Sequence, residues 1–186
     1  METKKAIEER RSTRDFKTDD ISKEIVEDIL NCGRLAPSAK DRQPWYFVIL
    51  KNEMKNKIAD LMIEYIQSAD ESEIYAKSKS PNTIKASADI IKQAPVLVLI
   101  FRPENDYWRV GDSISIGACV ENMYLRATDL GIGIVCIRDT CFISNQISQM
   151  IGYQNFELNC AVALGIPNQK SIPKVKKELK DIIKWY

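Results

Sequence analysis

Four stretches of the chain are apolar almost without interruption, and most segments between them place apolar residues at helical spacing. Trp45-Tyr46-Phe47-Val48-Ile49-Leu50 and Ala94-Pro95-Val96-Leu97-Val98-Leu99-Ile100-Phe101 are short and rich in β-branched and aromatic residues. Their length and composition predict strands buried on both faces. Ile134-Val135-Cys136-Ile137 and residues 158–166, the latter closed by Pro167, read the same way. Helices are predicted over 2–10, 22–35, 54–66 and 143–151. The second carries Ile25, Val26, Ile29 and Leu30 on one face, starts at Ser22 as N-cap and is stopped by Pro37. A last short helix is expected toward Trp185-Tyr186.

Two segments stand apart. Residues 112–130 predict a long helix with a stripe of Ile116, Val120, Met123, Ala127 and Leu130, widened by Ile114, Ala118 and Leu125. A helix apolar nearly all round belongs inside an assembly, and Gly117 with Ala118 leaves room for another helix. Residues 67–92 are polar and poorly periodic around a Ser80-Pro81-Asn82 turn, which predicts a mobile excursion over the site, a lid. The order ααβααβαβαβα does not alternate as a doubly wound fold does. It predicts one α+β domain over 1–186, with a mixed central β-sheet flanked by helices on both faces.

Composition narrows the chemistry. With 186 residues, 45% hydrophobic and 28% charged, the chain is long enough for a substantial core. A net charge of +1 gives no reason to expect nucleic acid or an anionic membrane as partner. No apolar run nears the roughly 20 residues that span a bilayer. The N-terminus lacks a signal-peptide core, so a cytoplasmic location is expected. Histidine is absent, which removes His-based triads, His-ligated metals and a His acid or base. The five cysteines are scattered without a Cys-x-x-Cys, so no disulfide framework or metal site is expected, and most are read as small buried hydrophobes. Gly131-x-Gly133 follows a helix rather than a strand, so the dinucleotide fingerprint fails on context, and no P-loop or Gly-x-Ser-x-Gly occurs. An enzyme so equipped would borrow its chemistry from an organic cofactor.

The strongest motif pair lies near the N-terminus. Arg10-Arg11-Ser12-Thr13-Arg14 sets three guanidiniums and hydroxyls within five residues, a ready receptor for phosphate oxygens. It is followed by Ala36-Pro37-Ser38-Ala39-Lys40-Asp41-Arg42-Gln43-Pro44-Trp45, a helix exit that opens into a strand. In this order the two resemble the nitroreductase family of FMN flavoproteins. The likeness continues through 111–123, similar to the family's central dimer-interface helix, through Leu130-Gly131-Ile132-Gly133 and Leu164-Gly165-Ile166-Pro167, and through the basic residues before Leu179.

The resemblance implies an intertwined homodimer that passes electrons from NADH or NADPH through FMN to a small organic acceptor, a nitroaromatic or quinone, by a ping-pong mechanism. No side chain is implied as catalytic, because the flavin carries the chemistry. Arg10, Arg11, Ser12 and Arg14 would hold the flavin, with Arg14 toward its pyrimidine edge, and Lys174 and Lys176 would complete the phosphate site. Ser38, Asp41 and Gln43 would approach the ring, usually from the partner subunit, and backbone groups of Ile137, Arg138 and Asp139 would lie near its reactive nitrogen. The chain departs from the family at Asp41 (commonly Asn), at Glu121 (commonly Gln) and in lacking Gly-Gly after Cys136-Ile137. Two alternatives stand beside this reading: a reductive dehalogenase of the same superfamily, gripping a halotyrosine with Glu71, Tyr75 and Lys85 or Lys92, and a non-catalytic flavin-binding protein.

Overall fold

The longest apolar run becomes the most enclosed strand. In the computed structural model, which describes residues 1–69, 80–168 and 172–186, β2 (Val96–Pro103) is buried from Val96 through Arg102. Leu97, Leu99 and Phe101 enter one core and Val96, Val98 and Ile100 another, the period-2 alternation of a strand covered on both sides. Arg102 ends the run with its side chain inside, ion-paired to Glu157, the residue opposite it on the neighbouring strand.

β1 (Tyr46–Lys51) flanks β2 on one side and β4 (Phe156–Gly165) on the other, with β3 (Gly133–Ile137) beyond β4. The expected mixed sheet is corrected here: every described pairing is antiparallel. Between β1 and β2 the described residues form two helices, α3 (Asn52–Ser68) and α4 (Pro81–Gln93), an out-and-back pair that returns β2 against β1. β2 and β3 do run in the same direction, joined through α5 (Arg109–Asp129), but β4 inserts between them.

One face of the sheet packs against α3 and α4 through Ile58, Met62, Ile84, Ala88 and Ile91, with Ile147 of α6 (Ser144–Ile151) in the same core. The other packs against α2 (Lys23–Arg34) and α5 through Val26, Ile29, Ile116, Cys119, Val120 and Met123. α2 begins as its sequence predicts, with Ser22 Oγ accepting from Ile25 N.

The lid reading of 67–92 is corrected for its second half. Residues 81–93 form α4, whose Ile84, Ala88 and Ile91 are fully buried. Ser80-Pro81 was legible as a helix start, since Ser80 Oγ accepts from Asn82 N and proline suits the first helical turn, where its missing N–H costs nothing. Glu71 and Tyr75 lie outside the described residues.

α5 starts three residues before the predicted 112. Ile116, Val120, Met123 and Ala127 are buried as the stripe predicted, while Ile114 is 70% exposed and a side chain at Gly117 would meet open space. The terminal helix is replaced by a 3₁₀ turn at Leu179–Asp181 within a tail that leaves Val175, Leu179, Ile182 and Trp185 exposed. No helix among the described residues is long and apolar enough to cross a membrane.

Candidate functional site: a basic cleft on the sheet edge

After α1 (Thr3–Glu9) the chain turns extended and lies against the ends of β3 and β4. Thr13 N donates to Ile134 O (2.9 Å), Phe16 bridges to Pro167, and Lys17 N donates to Ile166 O (2.8 Å). Gln93 Oε1 accepts from Phe16 N at 3.0 Å.

The seat is made by two glycines. Gly133 and Gly165 are register partners on β3 and β4. A β-carbon on Gly133 would stand 2.8 Å from Thr13 Cγ2 and 3.0 Å from Phe16 Cε1. One on Gly165 would stand 2.5 Å from Pro95 Cδ and 3.0 Å from Phe16 Cδ1. Ordinary carbon contacts lie near 3.5–4.0 Å, so only glycine leaves the slot open. With Thr13 and Phe16 buried in it, the arginines on either side of Thr13 are turned outward.

They line a cleft of about 790 Å³. Arg10, Arg11, Ser12 and Arg14 come from the extended segment and its entry, and Lys174 and Lys176 come from the tail more than 150 residues later. Five cationic side chains face two carboxylates, Glu8 and Asp15. The chemistry of that donor set fits a phosphate dianion, which several convergent cations and a hydroxyl satisfy by charge-assisted hydrogen bonds.

Internal contacts orient the arginines. Arg11 Nη1 donates to Glu8 O and Arg10 O at 2.7 Å each, and Arg14 Nη1 to Ser12 O at 3.3 Å. The Arg10 guanidinium lies 4.9 Å over the Tyr124 ring, with Nε 3.5 Å from Glu121 Oε1. Sequence reasoning missed Tyr124. Its Oη accepts from Cys136 N at 2.7 Å and lies 3.3 Å from Ser12 Oγ, so one buried phenol ties α5, β3 and the arginine segment together. Burial pushes its pKa up, against the hydrogen bonds from Ser12 and Cys136, so the phenol stays protonated. The only local signal was its place, one turn from Val120 on the buried stripe of α5.

At the end of β3, Ile137 is buried in the α3–α4 core, Arg138 is exposed, and Asp139 Oδ2 accepts from Ser87 Oγ at 2.7 Å. The carbonyls of Ile137 and Arg138 accept from Thr140 Oγ1 and Cys141 N, at 3.2 and 2.9 Å.

Ser38, Asp41 and Gln43 are not brought to this cleft within the chain. They occupy a 3₁₀ turn at Ala39–Asp41 beside the N-terminal end of α5, where Ala39 N donates to Ser115 Oγ at 3.1 Å. Ser115 and Tyr124 are nine residues apart, about 13 Å along the helix axis. Lys40, Asp41 and Gln43 hold φ of 53, 52 and 47°, left-handed for non-glycine residues. Such strain of roughly 1–3 kcal/mol per residue persists only where surroundings enforce it. Gln43 N donates to Ser38 Oγ (2.9 Å) and Gln43 Nε2 to Asp41 Oδ1 (3.1 Å). Arg42 reaches the fully buried Asp112 through Nε and Nη2, at 3.0 and 3.2 Å, and lies 4.6 Å over the Trp108 ring. The hydrogen bond to Asp112 raises the Arg42 pKa.

The chain matches the family model of the nitroreductase family over residues 7–166. It is 26% identical over 195 aligned residues to an iodotyrosine deiodinase of Daphnia pulex, covering 97% of this chain but only 64% of that protein. Among solved structures, a BluB-like flavoprotein from Clostridium difficile 630 superposes with a TM-score of 0.80 at 25% identity, covering 100% of this chain and 99% of that one. A nitroreductase with bound FMN from Bacteroides fragilis gives a TM-score of 0.78 at 22% identity, with coverage of 100% and 99%. A match that runs from α1 through the Gly165 end of β4 takes in the arginine segment, its glycine seat and the central helix together: the chain belongs to the nitroreductase family.

Proposed function

We propose that this protein is an FMN-dependent oxidoreductase that takes electrons from NADH or NADPH and delivers them to a nitroaromatic or quinone, donor and acceptor using one site in turn. The observation that carries the reading is the convergence of Arg10, Arg11, Ser12 and Arg14 with Lys174 and Lys176 in one cleft. FMN, when bound, would supply the reversible two-electron exchange on which this reading rests. Arg10, Lys174 and Lys176 hold the phosphate, and Arg14 faces the pyrimidine edge, where a cation favours the charge that reduction places there. Tyr124 fixes Ser12 and the β3 backbone that leads to Ile137, Arg138 and Asp139.

Ser38, Asp41 and Gln43 act in this reading from a partner subunit. The strained turn that presents them, the outward Ile114–Gly117 face of α5 and the exposed apolar tail support a homodimer. The domain works in the cytoplasm. The likeness to iodotyrosine deiodinase favours a second reading, reductive dehalogenation of a halotyrosine at the same site.

The test is the absorption spectrum of the purified protein with FMN added, then anaerobic addition of NADH or NADPH, then a panel of nitroaromatics, quinones and halotyrosines. Bound flavin, bleached by a nicotinamide and restored by a nitroaromatic or quinone, is expected. Restoration by halotyrosine alone selects the second reading, and failure to bind FMN overturns both.

A further inference from the structure

Asp41 and Gln43 are exposed, whereas Arg42 between them turns its side chain into the protein. The backbone explains the reversal: Lys40, Asp41 and Gln43 are left-handed, and Arg42, with φ of −69°, is not. Such a run of positive φ persists only where something outside the turn enforces it. Here the first two turns of α5 do so. Asp112 is fully buried, and among the described residues Arg42 supplies both hydrogen bonds to its carboxylate, one to each oxygen. Ala39 N donates to Ser115 Oγ, which itself donates to Gly111 O at 2.7 Å. A β-carbon on Gly111 would stand 3.4 Å from Ala39 Cβ, so the turn lies close on the helix. The Trp108 ring lies against the guanidinium.

The burial of Asp112 gives this pair its weight. An exposed ion pair is worth little, but opening the turn here strands a fully buried carboxylate, which costs far more. Arginine suits the place because its planar fork meets both oxygens at once, a two-point grip that fixes direction as well as distance. With Arg42 fixed inward, Asp41 and Gln43 are fixed outward.

We propose that Arg42, locked to Asp112, is the positioning residue that sets Ser38, Asp41 and Gln43 against the flavin ring of a partner subunit, an inference that rests on the flavoprotein reading. α5 then carries both halves of the site. Asp112 and Ser115 hold the ring-facing turn, and about 18 Å further along the helix axis Tyr124 holds the arginine segment. The turn acts on the ring through charge. Asp41 brings a carboxylate there, which opposes the negative charge that reduction adds. Releasing the turn therefore raises the midpoint potential of bound FMN, the opposite of losing Arg14.

The experiment separates charge from position. Arg42→Ala alone leaves Asp112 unpaired, whereas Arg42→Ala combined with Asp112→Asn removes both charges, so no stranded carboxylate threatens the fold. Arg42→Lys keeps the cation without the two-point grip. In the flavin-free protein, hydrogen exchange followed by mass spectrometry should quicken across residues 38–43 by about 10- to 150-fold in the double variant, the loss of one charge-assisted hydrogen bond, and by less in Arg42→Lys. With FMN bound, the midpoint potential should rise in the double variant and return toward the parent value in Arg42→Lys. FMN affinity should fall by only about 2- to 12-fold, the effect of one neutral hydrogen bond, because the phosphate contacts are untouched. Unchanged exchange at 38–43, or a potential unchanged or lowered in the double variant, would overturn the proposal. Exchange quickened equally on β2 would make Arg42 a general stabiliser and overturn it too. Failure of the unsubstituted protein to bind FMN would overturn the flavin reading and the ring-facing role with it, while the flavin-free exchange decides separately whether Arg42 holds the turn.

Discussion

Gly133→Ala tests whether the sheet edge positions the basic cleft. The added methyl would stand 2.8 Å from Thr13 Cγ2 and 3.0 Å from both Thr13 Cβ and Phe16 Cε1. Contacts between carbons relax near 3.5–4.0 Å, so the 12–16 segment must withdraw by about 0.5–1 Å. Overpacking of this kind costs roughly 1–3 kcal/mol. The neighbouring Thr13 N to Ile134 O bond, 2.9 Å long, stretches with the withdrawal. A strained or lost backbone bond adds about 0.5–1.5 kcal/mol. Replacing a strand glycine returns about 0.5–1 kcal/mol of backbone entropy, so a net loss of roughly 1–3 kcal/mol is expected. For a domain of this size each kcal/mol moves the melting temperature by about 2–4 °C, which predicts a fall of roughly 2–12 °C. In the proposed site the same displacement would carry Arg10 off the flavin phosphate and Arg14 off the pyrimidine edge. Loss of one charge-assisted hydrogen bond, about 1.5–3 kcal/mol, weakens FMN binding by roughly 10- to 150-fold. Thermal melts followed by circular dichroism and titration of FMN fluorescence measure the two effects separately. An unchanged melting temperature would refute the glycine slot. A lower melting temperature with unchanged FMN affinity would refute the coupling of that slot to the site.

Arg10→Ala and Lys176→Ala should each weaken FMN binding by about 10- to 150-fold in the same titration, with little change in melting temperature. Arg14→Ala should lower the midpoint potential of bound FMN, because a cation at the pyrimidine edge favours the reduced ring; potentiometry giving an unchanged or higher value would place that guanidinium elsewhere. Tyr124→Phe removes the acceptor of the part-buried Cys136 N–H bond and should destabilise the fold by about 0.5–1.5 kcal/mol in urea unfolding. Asp129 has its pKa lowered by the hydrogen bond from the N-terminal ammonium, so its contribution is complete above the ordinary carboxylate range and fades as pH falls through the lowered folded-state value. Asp129→Asn should therefore narrow the stability difference from the parent as acid unfolding proceeds, and a constant difference from neutral to acid pH would count against the pair.

Much of the local architecture was determined by the sequence alone. An unbroken apolar run of strand length predicts a strand covered on both faces, and β2 is one, because seven consecutive side chains cannot all be buried unless both faces are packed. Ser22 and Pro37 bracket α2 because capping and the missing N–H of proline act within a turn. The arginine cluster was legible as an anion receptor for the same reason: its donors are adjacent in the chain. α4 was also written locally, in Ser80-Pro81 and the Ile84, Ala88, Ile91 spacing, but its exposed polar majority obscured so narrow a stripe. Only the tertiary structure decided what depends on distant residues meeting. No local rule inserts β4 between β2 and β3, pairs Gly133 with Gly165, or aims Tyr124 at both Ser12 and Cys136. Gly133 reads in sequence as a helix exit; its role as a slot for Thr13 and Phe16 exists only once two strand ends and a returning N-terminal segment share one volume. Propensity and capping act over a few residues, whereas register and close approach are set by which apolar faces can be buried together.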